Sequence, residues 1–228
     1  MKNILVVGAS SGIGKSLTHL LQLEGNQIFG TYHSNEVAGD QFHYLDVLAE
    51  DLKLGFLPEV LDGVVYCPGS INLKPFARIK AAAFEEDYKL QVVGAIKVLQ
   101  AALKALKRSA SASIVLFSTV AVQSGFNFHT QVAASKGALE GLTRSLAAEL
   151  APKIRVNCIA PSLTDTPLAA KLLNSEEKKT ANAQRHPLKK IGKPEDIAQM
   201  AAFLLSDKAA WISGQIMHVD GGMSKLKI

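Results

Sequence analysis

The sequence predicts an α/β fold of the Rossmann type, with one doubly wound parallel sheet of about seven strands and helices on both of its faces. Short runs rich in β-branched residues alternate along the chain with longer segments of helical periodicity. The first run, residues 4–7, is continuously apolar, which is typical of a parallel strand covered by helices on both sides. Parallel strands joined by right-handed helical crossovers form this architecture.

Each predicted strand is short and apolar, and Gly, Pro or polar residues bound it. The predicted helices instead carry apolar residues every three or four positions. Gly25 ends the first helix, and Pro152 and Pro194 end and begin two later ones. The predicted strands are residues 4–7, 27–32, 42–45, 63–67, 113–118, 154–160 and 215–219, and the predicted helices are residues 13–21, about 81–106, 130–150 and 194–205.

Composition and charge narrow the classes of function. Of 228 residues, 48% are hydrophobic and 20% are charged, so one globular domain over residues 1–228 is expected. The net charge is +5, and the charged residues are scattered along the chain rather than grouped in a basic patch, so no nucleic-acid partner is expected. Cys67 and Cys158 lie in apolar runs without metal-spaced neighbours, which predicts buried thiols, no disulfide framework and no metal site. Neither a signal-peptide core nor a membrane-length apolar run is present, so a cytoplasmic protein without a membrane partner is expected.

A glycine-rich turn between the first strand and the first helix predicts a phosphate-binding site. Such a turn lets the backbone approach a pyrophosphate, and the free N–H groups of the helix N-terminus face the anion. The spacing Gly-x3-Gly-x-Gly differs from the Gly-x-Gly-x-x-Gly dinucleotide fingerprint, but the strand–turn–helix context is the one that the fingerprint requires. The residues expected to bind the cofactor here are Gly8, Ser10, Ser11, Gly12, Ile13 and Gly14.

The end of the second strand indicates which dinucleotide binds. In the NAD-binding pattern, an acidic residue about 20 positions after the glycines holds the ribose 2′-hydroxyl. Here that position falls on Tyr32 and His33, with Ser34 next, and none of the three is acidic. His33 and Ser34 are able to bind a 2′-phosphate instead. The sequence therefore favours NADP(H) over NAD(H) as the cofactor.

The sequence resembles the short-chain dehydrogenase/reductase family over nearly its whole length. The glycine turn ends in the family's Gly-Ile-Gly at residues 12–14, and Leu-Asp-Val at residues 45–47 resembles its adenine-binding strand end. Residues 155–162 and 218–222 resemble segments beside the nicotinamide and near the C-terminus, in the pattern of 3-oxoacyl-[acyl-carrier-protein] reductases. The resemblance implies a nicotinamide cofactor, an oxidoreductase activity on a small-molecule substrate, and a homo-oligomer, either a dimer or a tetramer.

The resemblance also implies roles for single residues. Asp46 and Val47 would contact the adenine, and Gly69 would take the place of the last residue in the family's Asn-Asn-Ala-Gly. Lys136 falls where the family places its active-site lysine, which holds the cofactor ribose and lowers the pKa of a neighbouring phenol by its positive charge. Thr166 would contact the carboxamide or the pyrophosphate, with the backbone of Thr164 nearby.

The catalytic residues implied by the resemblance are Lys136, Thr119 in place of the family's serine, and Gln91 in place of its asparagine. The family's tyrosine gives a proton to the substrate oxygen and stands four residues before the lysine, on the same helix face. That position is Val132, which has no proton to give. A further departure is Ser162, where the family has glycine. The cofactor cradle is mostly kept, whereas the proton donor is absent from its usual place.

Three hypotheses follow from this departure. In the first, His129 is the displaced proton donor, since it lies two helical turns before Lys136, near the same face, and imidazole exchanges protons near neutral pH. In the second, water or a substrate group gives the proton. In the third, the chain binds nucleotide with little or no turnover, as a redox sensor or an assembly subunit. An NAD(P)(H)-dependent oxidoreductase acting on a carbonyl or enoyl group is favoured, and the impaired nucleotide-binding protein is the alternative.

The stretch from residue 162 to 193 is long and irregular, and we expect it to cover the pocket as a lid. Val132 and its alanine neighbours make the expected pocket floor apolar, which favours a hydrophobic substrate.

Trp211 is expected to pack or to contact another subunit, and His186 is interpreted as structural.

Overall fold

A computed structural model describes residues 1–227, whose seven strands form one sheet. The strands are β1 (Asn3–Val7), β2 (Gln27–Tyr32), β3 (Phe42–Tyr44), β4 (Gly63–Tyr66), β5 (Ala112–Phe117), β6 (Ile154–Pro161) and β7 (Ile216–Val219).

The strand order across the sheet is β3-β2-β1-β4-β5-β6-β7, and every neighbouring pair is parallel. The chain builds outward from β1 to β3 and then crosses back to place β4 on the other side of β1. This reversal opens a crevice at the carboxyl ends of β1 and β4, which is where open α/β sheets bind ligands. The predicted doubly wound parallel sheet of about seven strands is confirmed.

Seven α-helices occur within the described residues, and none of them is both long and apolar enough to cross a lipid bilayer. They are α1 (Gly12–Leu23), α2 (Ala81–Tyr88), α3 (Gly94–Arg108), α4 (Ala121–Ser124), α5 (Thr130–Leu150), α6 (Glu176–Arg185) and α7 (Pro194–Leu205).

The helix expected over residues 81–106 is not uniform. It consists of α2 and α3 joined by a π-helical segment, Lys89–Val93. The Tyr66 hydroxyl donates a hydrogen bond of 2.6 Å to the carbonyl oxygen of Leu90, inside this widened turn. Apolar periodicity does not distinguish a π turn from an α turn, so the sequence does not predict it. Such segments are frequent at functional sites, and this one carries Gln91.

The stretch expected to be irregular, residues 162–193, is partly helical. It contains a 3₁₀ segment, Pro167–Leu172, followed by α6. Ser175 starts α6, because its side chain accepts a hydrogen bond of 3.2 Å from the Lys178 N–H. Two glutamates in the first turn of α6 favour the helix through its dipole.

Two hydrophobic cores lie on opposite faces of the sheet. Along β1, Leu5 and Val7 belong to one core, and Ile4 and Val6 belong to the other, as the two-residue period of a strand requires. Residues of α3 and α5 complete the first core, and residues of α1 and α7 complete the second. Each of these four β1 side chains is at most 1% exposed, which explains the continuous apolar run in the sequence.

Candidate active site

The glycine turn connects the end of β1 to the start of α1. Gly8 has a φ angle of +80°, which residues that carry a side chain rarely adopt. Gly14 has no room for a side chain, because a Cβ atom there would collide with the carbonyl oxygen of Gly8. The two glycines therefore allow the backbone to fold closely onto itself, with the N-terminus of α1 left open beside it.

The N-terminus of α1 opens onto a cavity of about 420 Å³, the dinucleotide cavity. Ser11 holds the N-cap position in extended conformation, and the first turn carries Lys15 rather than an acid. The N–H groups of this turn therefore direct the partial positive charge of the helix into the cavity, which fits the pyrophosphate of a dinucleotide. The predicted cofactor residues on the cavity wall are Gly8, Ser10, Ser11, Gly12, Ile13, Gly14, His33, Ser34, Asp46, Val47, Gly69 and Thr166.

His33 and Ser34 follow β2 at the exposed edge of the dinucleotide cavity. His33 Nδ1 lies 3.1 Å from Ser34 Oγ, and its ring stacks on Tyr44 with the ring centroids 5.8 Å apart. Asp46 follows β3, and its carboxylate accepts a hydrogen bond of 2.8 Å from the Leu48 N–H. Because β2 and β3 are neighbours in the sheet, the residues predicted to bind 2′-phosphate and adenine come together at adjacent strand ends.

A second cavity of about 280 Å³, the inner cavity, adjoins the first. The two cavities share Gly69 and Thr166 among their lining residues, so they lie side by side at these residues. The residues predicted to be catalytic line this inner cavity together with the rest of the cofactor set. The predicted catalytic residues are Lys136, Thr119, Gln91 and His129. Thr164, which was predicted to bind the cofactor, and the apolar Val132 line the cavity as well.

Lys136 is a buried cation on the wall of the inner cavity, with 8% of its surface exposed. Burial lowers the pKa of its ammonium group to about 8, and the nearby Asp87 carboxylate partly opposes this effect. A Cβ atom added to Gly69 would lie 3.5 Å from Lys136 Nζ and 3.3 Å from Gln91 Oε1. The lysine and the glutamine therefore both reach the backbone where the two cavities meet.

Gln91 is completely buried in the π-helical segment. Its Nε2 donates a hydrogen bond of 2.7 Å to Asp87, whereas its Oε1 has no hydrogen-bond partner within residues 1–227. An unpartnered buried acceptor beside a cavity fits a site that a bound polar group or water completes.

A network around Asp87 was not predicted from the sequence. Asp87 is 4% exposed and accepts hydrogen bonds from Ser70, from Gln91 and, at 2.6 Å, from Ser135. Ser70 follows β4, whereas Ser135 precedes Lys136 on α5. The spacing of four between Asp87 and Gln91 is a helical signal for their pairing, but the other two contacts depend on how α5 packs. The network fixes the lysine-bearing helix against the π-helical segment.

Thr119 lies at the carboxyl end of β5. Its Oγ1 accepts a hydrogen bond of 3.3 Å from the Ala121 N–H, which leaves the hydroxyl hydrogen available to a ligand. The adjacent Ser118 hydroxyl instead donates to Glu140 at 2.7 Å, and that carboxylate is 4% exposed. Both residues line the inner cavity, and within the described residues the hydroxyl hydrogen of Thr119 is the one left available to a ligand.

His129 occupies the N-cap position of α5, at the rim of the inner cavity. Its Nδ1 lies 2.8 Å from the carbonyl oxygen of Asn127, and its ring lies 5.5 Å from that of Phe126. Because a carbonyl oxygen only accepts, Nδ1 carries a hydrogen and Nε2 is left for proton exchange. Val132, one turn further along α5, is 6% exposed and adds an apolar surface to the cavity wall.

The stretch from residue 162 to 193 contributes a large part of the inner cavity wall. Thr164 pairs with Gly192 in an isolated bridge that holds the two ends of the stretch together. The side chains that it contributes to the cavity wall are mostly apolar near the 3₁₀ segment and polar on α6. They are Leu163, Leu168, Ala169 and Leu172, then Asn182, Arg185 and His186.

Both cysteines are free thiols. Cys158 is buried as predicted, whereas Cys67 is only partly buried and lines both cavities, which corrects the expectation for this residue. Burial raises the pKa of each thiol to about 12, so neither is a thiolate at neutral pH. No group of three or more potential metal-binding side chains occurs in the part of the chain that the structure describes.

Comparison with protein families identifies the class. A family model described as Enoyl-(Acyl carrier protein) reductase matches residues 8–224. The chain belongs to the short-chain dehydrogenase/reductase family, whose members are oxidoreductases that bind NAD(P) and act on small molecules. The predicted resemblance is thereby confirmed.

Relatives match the chain along nearly its full length. A 3-oxoacyl-[acyl-carrier-protein] reductase from Aquifex aeolicus is 31% identical over 239 residues, covering 96% of each chain. The aldohexose dehydrogenase of Thermoplasma acidophilum has a similar structure, with a TM-score of 0.91 and 27% identity over 99% of this chain and 95% of that one. The RhlG/NADP active-site complex of Pseudomonas aeruginosa also has a TM-score of 0.91, with 26% identity over 98% of this chain and 96% of that one.

Proposed function

We propose that the chain is an NADP(H)-dependent oxidoreductase that acts on a carbonyl or enoyl group of a small, hydrophobic substrate. The observation that carries this proposal is the adjacency of the two cavities, one lined by the glycine turn and the other by Lys136 and Thr119. A bound nicotinamide dinucleotide would supply or accept the hydride. The family description and the name of the Aquifex relative both support acyl-carrier thioesters as the substrate class.

The cofactor would extend from the dinucleotide cavity towards the inner cavity. The N-terminus of α1 would bind the pyrophosphate, and His33 with Ser34 would bind the 2′-phosphate of NADP(H). The NADP-bound Pseudomonas structure supports this preference, and NAD(H) is the alternative. The other contacts that we propose are Asp46 and Val47 with the adenine, Gly69 and Lys136 with the nicotinamide ribose, and Thr164 and Thr166 with the carboxamide or pyrophosphate.

Four polar side chains of the inner cavity would carry the catalytic tasks. The Thr119 hydroxyl would donate a hydrogen bond to the substrate oxygen, and the Lys136 cation would stabilise the negative charge that develops there. Gln91 would hold an ordered water or polar group at its unpartnered oxygen. Since Val132 has no labile proton, His129 at the rim would deliver the proton, and solvent water is the alternative donor.

A second candidate function is favoured by the side chain of Val132. An apolar residue at this position leaves the cofactor cradle intact and removes the usual acid, which suits a nucleotide-binding protein with little turnover, such as a redox sensor or an assembly subunit. Fluorescence titration of NADPH and NADH separates binding from turnover. We expect NADPH to bind more tightly, and Lys136→Ala to weaken binding more than Thr119→Ala does. Equal affinities for the two nucleotides would contradict the assignment of His33 and Ser34.

Turnover decides between the two candidates. NADPH oxidation is followed by absorbance with a panel of 3-oxoacyl, enoyl and quinone substrates, for the natural chain and for Val132→Tyr, with Val132→Phe as the matched control. Turnover by the natural chain supports the oxidoreductase, and its loss in His129→Ala identifies the proton donor. A silent natural chain with an active Val132→Tyr variant supports the nucleotide-binding protein. Failure of all three chains despite nucleotide binding would contradict the assigned reaction.

We also propose that the chain forms a homo-oligomer and that it is located in the cytoplasm, where the two free thiols of each chain stay reduced. Trp211 was expected to pack or to contact another subunit, and because it is fully exposed in the single chain, we propose contact with another subunit as its role.

A further inference from the structure

A serine and a histidine form a close pair on the wall of the inner cavity. Ser162 Oγ lies 2.8 Å from His186 Nε2, and His186 Nδ1 lies 2.9 Å from the carbonyl oxygen of Asn182. Ser162 follows β6, and His186 ends α6, so the two residues are brought together only by the packing of α6 over the sheet. Both side chains line the inner cavity.

The hydrogen bonds of His186 determine which ring nitrogen carries the proton. A carbonyl oxygen only accepts, so Nδ1 carries the hydrogen that it shares with Asn182. In the neutral ring, Nε2 then holds the lone pair and accepts the hydroxyl hydrogen of Ser162. His186 is 2% exposed, and its two hydrogen bonds hold the ring in place. A serine, a base within hydrogen-bond distance, and a third group that orients the base are the parts of an activated nucleophile.

The surroundings of the pair suit an acyl group. Leu163, Leu172 and Met223 line the cavity together with the pair, and Arg185 adds a positive charge to the same wall. The N–H of Leu163, the residue directly after the serine, has no hydrogen-bond acceptor within residues 1–227. In hydrolases, the N–H after the nucleophile is a common donor to the oxyanion. The serine hydroxyl is a property of this chain, because the resembled family has glycine at this position.

We propose that Ser162 is a nucleophile activated by His186, and that the pair accepts short acyl groups from activated esters and thioesters. Ser162 Oγ forms a bond to the acyl carbon, its proton passes to His186 Nε2, and the alcohol or thiol leaves with that proton. Water then adds to the acyl carbon and gives a proton back through the same nitrogen, which releases the carboxylic acid and restores the serine. This reaction uses no nicotinamide and is independent of the oxidoreductase proposal.

The rate of the two steps is expected to differ. One backbone N–H is placed next to the nucleophile, and each oxyanion donor contributes about 10²–10³ in rate, so hydrolysis of the acyl-serine is slow. Acylation by a good leaving group is faster, and the acyl-enzyme therefore accumulates. A burst of leaving group, about one for each chain, is the expected sign of this intermediate.

The test uses the purified full chain without nucleotide. It is mixed with p-nitrophenyl butyrate, the release of nitrophenolate is followed by absorbance, and butyryl-N-acetylcysteamine serves as the thioester probe. Intact-mass spectrometry and peptide mapping then locate the butyryl group. We expect a stoichiometric burst and a butyryl adduct on Ser162. His186→Gln is expected to slow the burst by about 100-fold or more, the range for loss of a general base.

Matched variants make the result specific to this serine. Ser162→Ala is expected to abolish the burst and the adduct, whereas Ser206→Ala, which removes a hydroxyl outside both cavities, is expected to retain them. Ser162→Gly, the residue of the resembled family, serves as a second variant if the alanine chain does not fold, as judged by circular dichroism. A natural chain without a burst, or an adduct that persists in the Ser162 variants, overturns the proposal.

Discussion

Replacement of Lys136 by methionine removes a buried charge with a small change in shape, and it measures the electrostatics of the inner cavity directly. Burial lowers the pKa of this lysine from 10.5 to about 8 in the folded chain. In the unfolded chain the side chain returns to water and to its ordinary pKa. Since one pKa unit corresponds to about 1.4 kcal/mol, burying the protonated lysine costs about 3 kcal/mol of folding free energy.

The sign of the pH dependence follows from proton counting. Below about pH 8 both states carry the proton, and the folded chain bears the full cost of the buried charge. Between about pH 8 and 10.5 the folded chain loses the proton first, so the unfolded chain binds more protons and the free energy of unfolding rises with pH. A Lys136→Met chain lacks this rise. The stability difference between the two chains is therefore expected to shift by about 2.5 kcal/mol between pH 7 and pH 10.

Urea unfolding, followed by far-ultraviolet circular dichroism at pH 7, 8, 9 and 10, measures this difference in the nucleotide-free chain. Any packing effect of the methionine adds the same amount at every pH and so does not change the slope. Lys153→Met is the matched control, because Lys153 is exposed and its stability difference is expected to stay constant. A constant difference for Lys136→Met over the same range would refute the lowered pKa that burial gives to Lys136.

Three further predictions concern packing, the buried network and assembly. Gly14→Ala is expected to lower the free energy of unfolding by about 2 kcal/mol or more in urea, because its Cβ collides with a backbone carbonyl oxygen, whereas Gly141→Ala on open helix surface is expected to be neutral or stabilising. Ser135→Ala is expected to cost about 1.5–3 kcal/mol, since it removes a hydrogen bond to the buried Asp87 carboxylate, and an unchanged urea midpoint would contradict that bond. Trp211→Ala is expected to lower the mass measured by light scattering, and an unchanged oligomer would exclude this tryptophan from the subunit contact.

The glycine turn illustrates what a local pattern is able to predict. Its residues are consecutive, they lie between an apolar run and a helical periodicity, and the requirement for glycine at Gly8 and Gly14 arises within the turn itself. The predicted cofactor residues at the ends of β2 and β3 lie on the same cavity for a related reason. Parallel strands end at one edge of a sheet, so residues that follow them are neighbours in space.

The helical parts of the chain show where local patterns stop being sufficient. The π-helical segment and α6 both lie in stretches whose apolar period does not identify them. The π turn is accompanied by the hydroxyl of Tyr66, which is 24 residues away from Leu90 in the chain. The proposed proton donor is a similar case, because the sequence suggests His129 from its helical spacing to Lys136 alone, and only the folded chain shows that its ring lines the inner cavity.

The sequence by itself determined the doubly wound sheet, its family and the glycine turn between the first strand and the first helix, because each depends on periodicity or on residues that are adjacent in the chain. Only the tertiary structure decided which polar groups meet. Asp87 and Ser135 are 48 residues apart, and Ser162 and His186 are 24 residues apart, yet both pairs are within hydrogen-bond distance. Such pairs arise from the docking of helices on the sheet, where a buried polar group is stable only if its partner is brought to it.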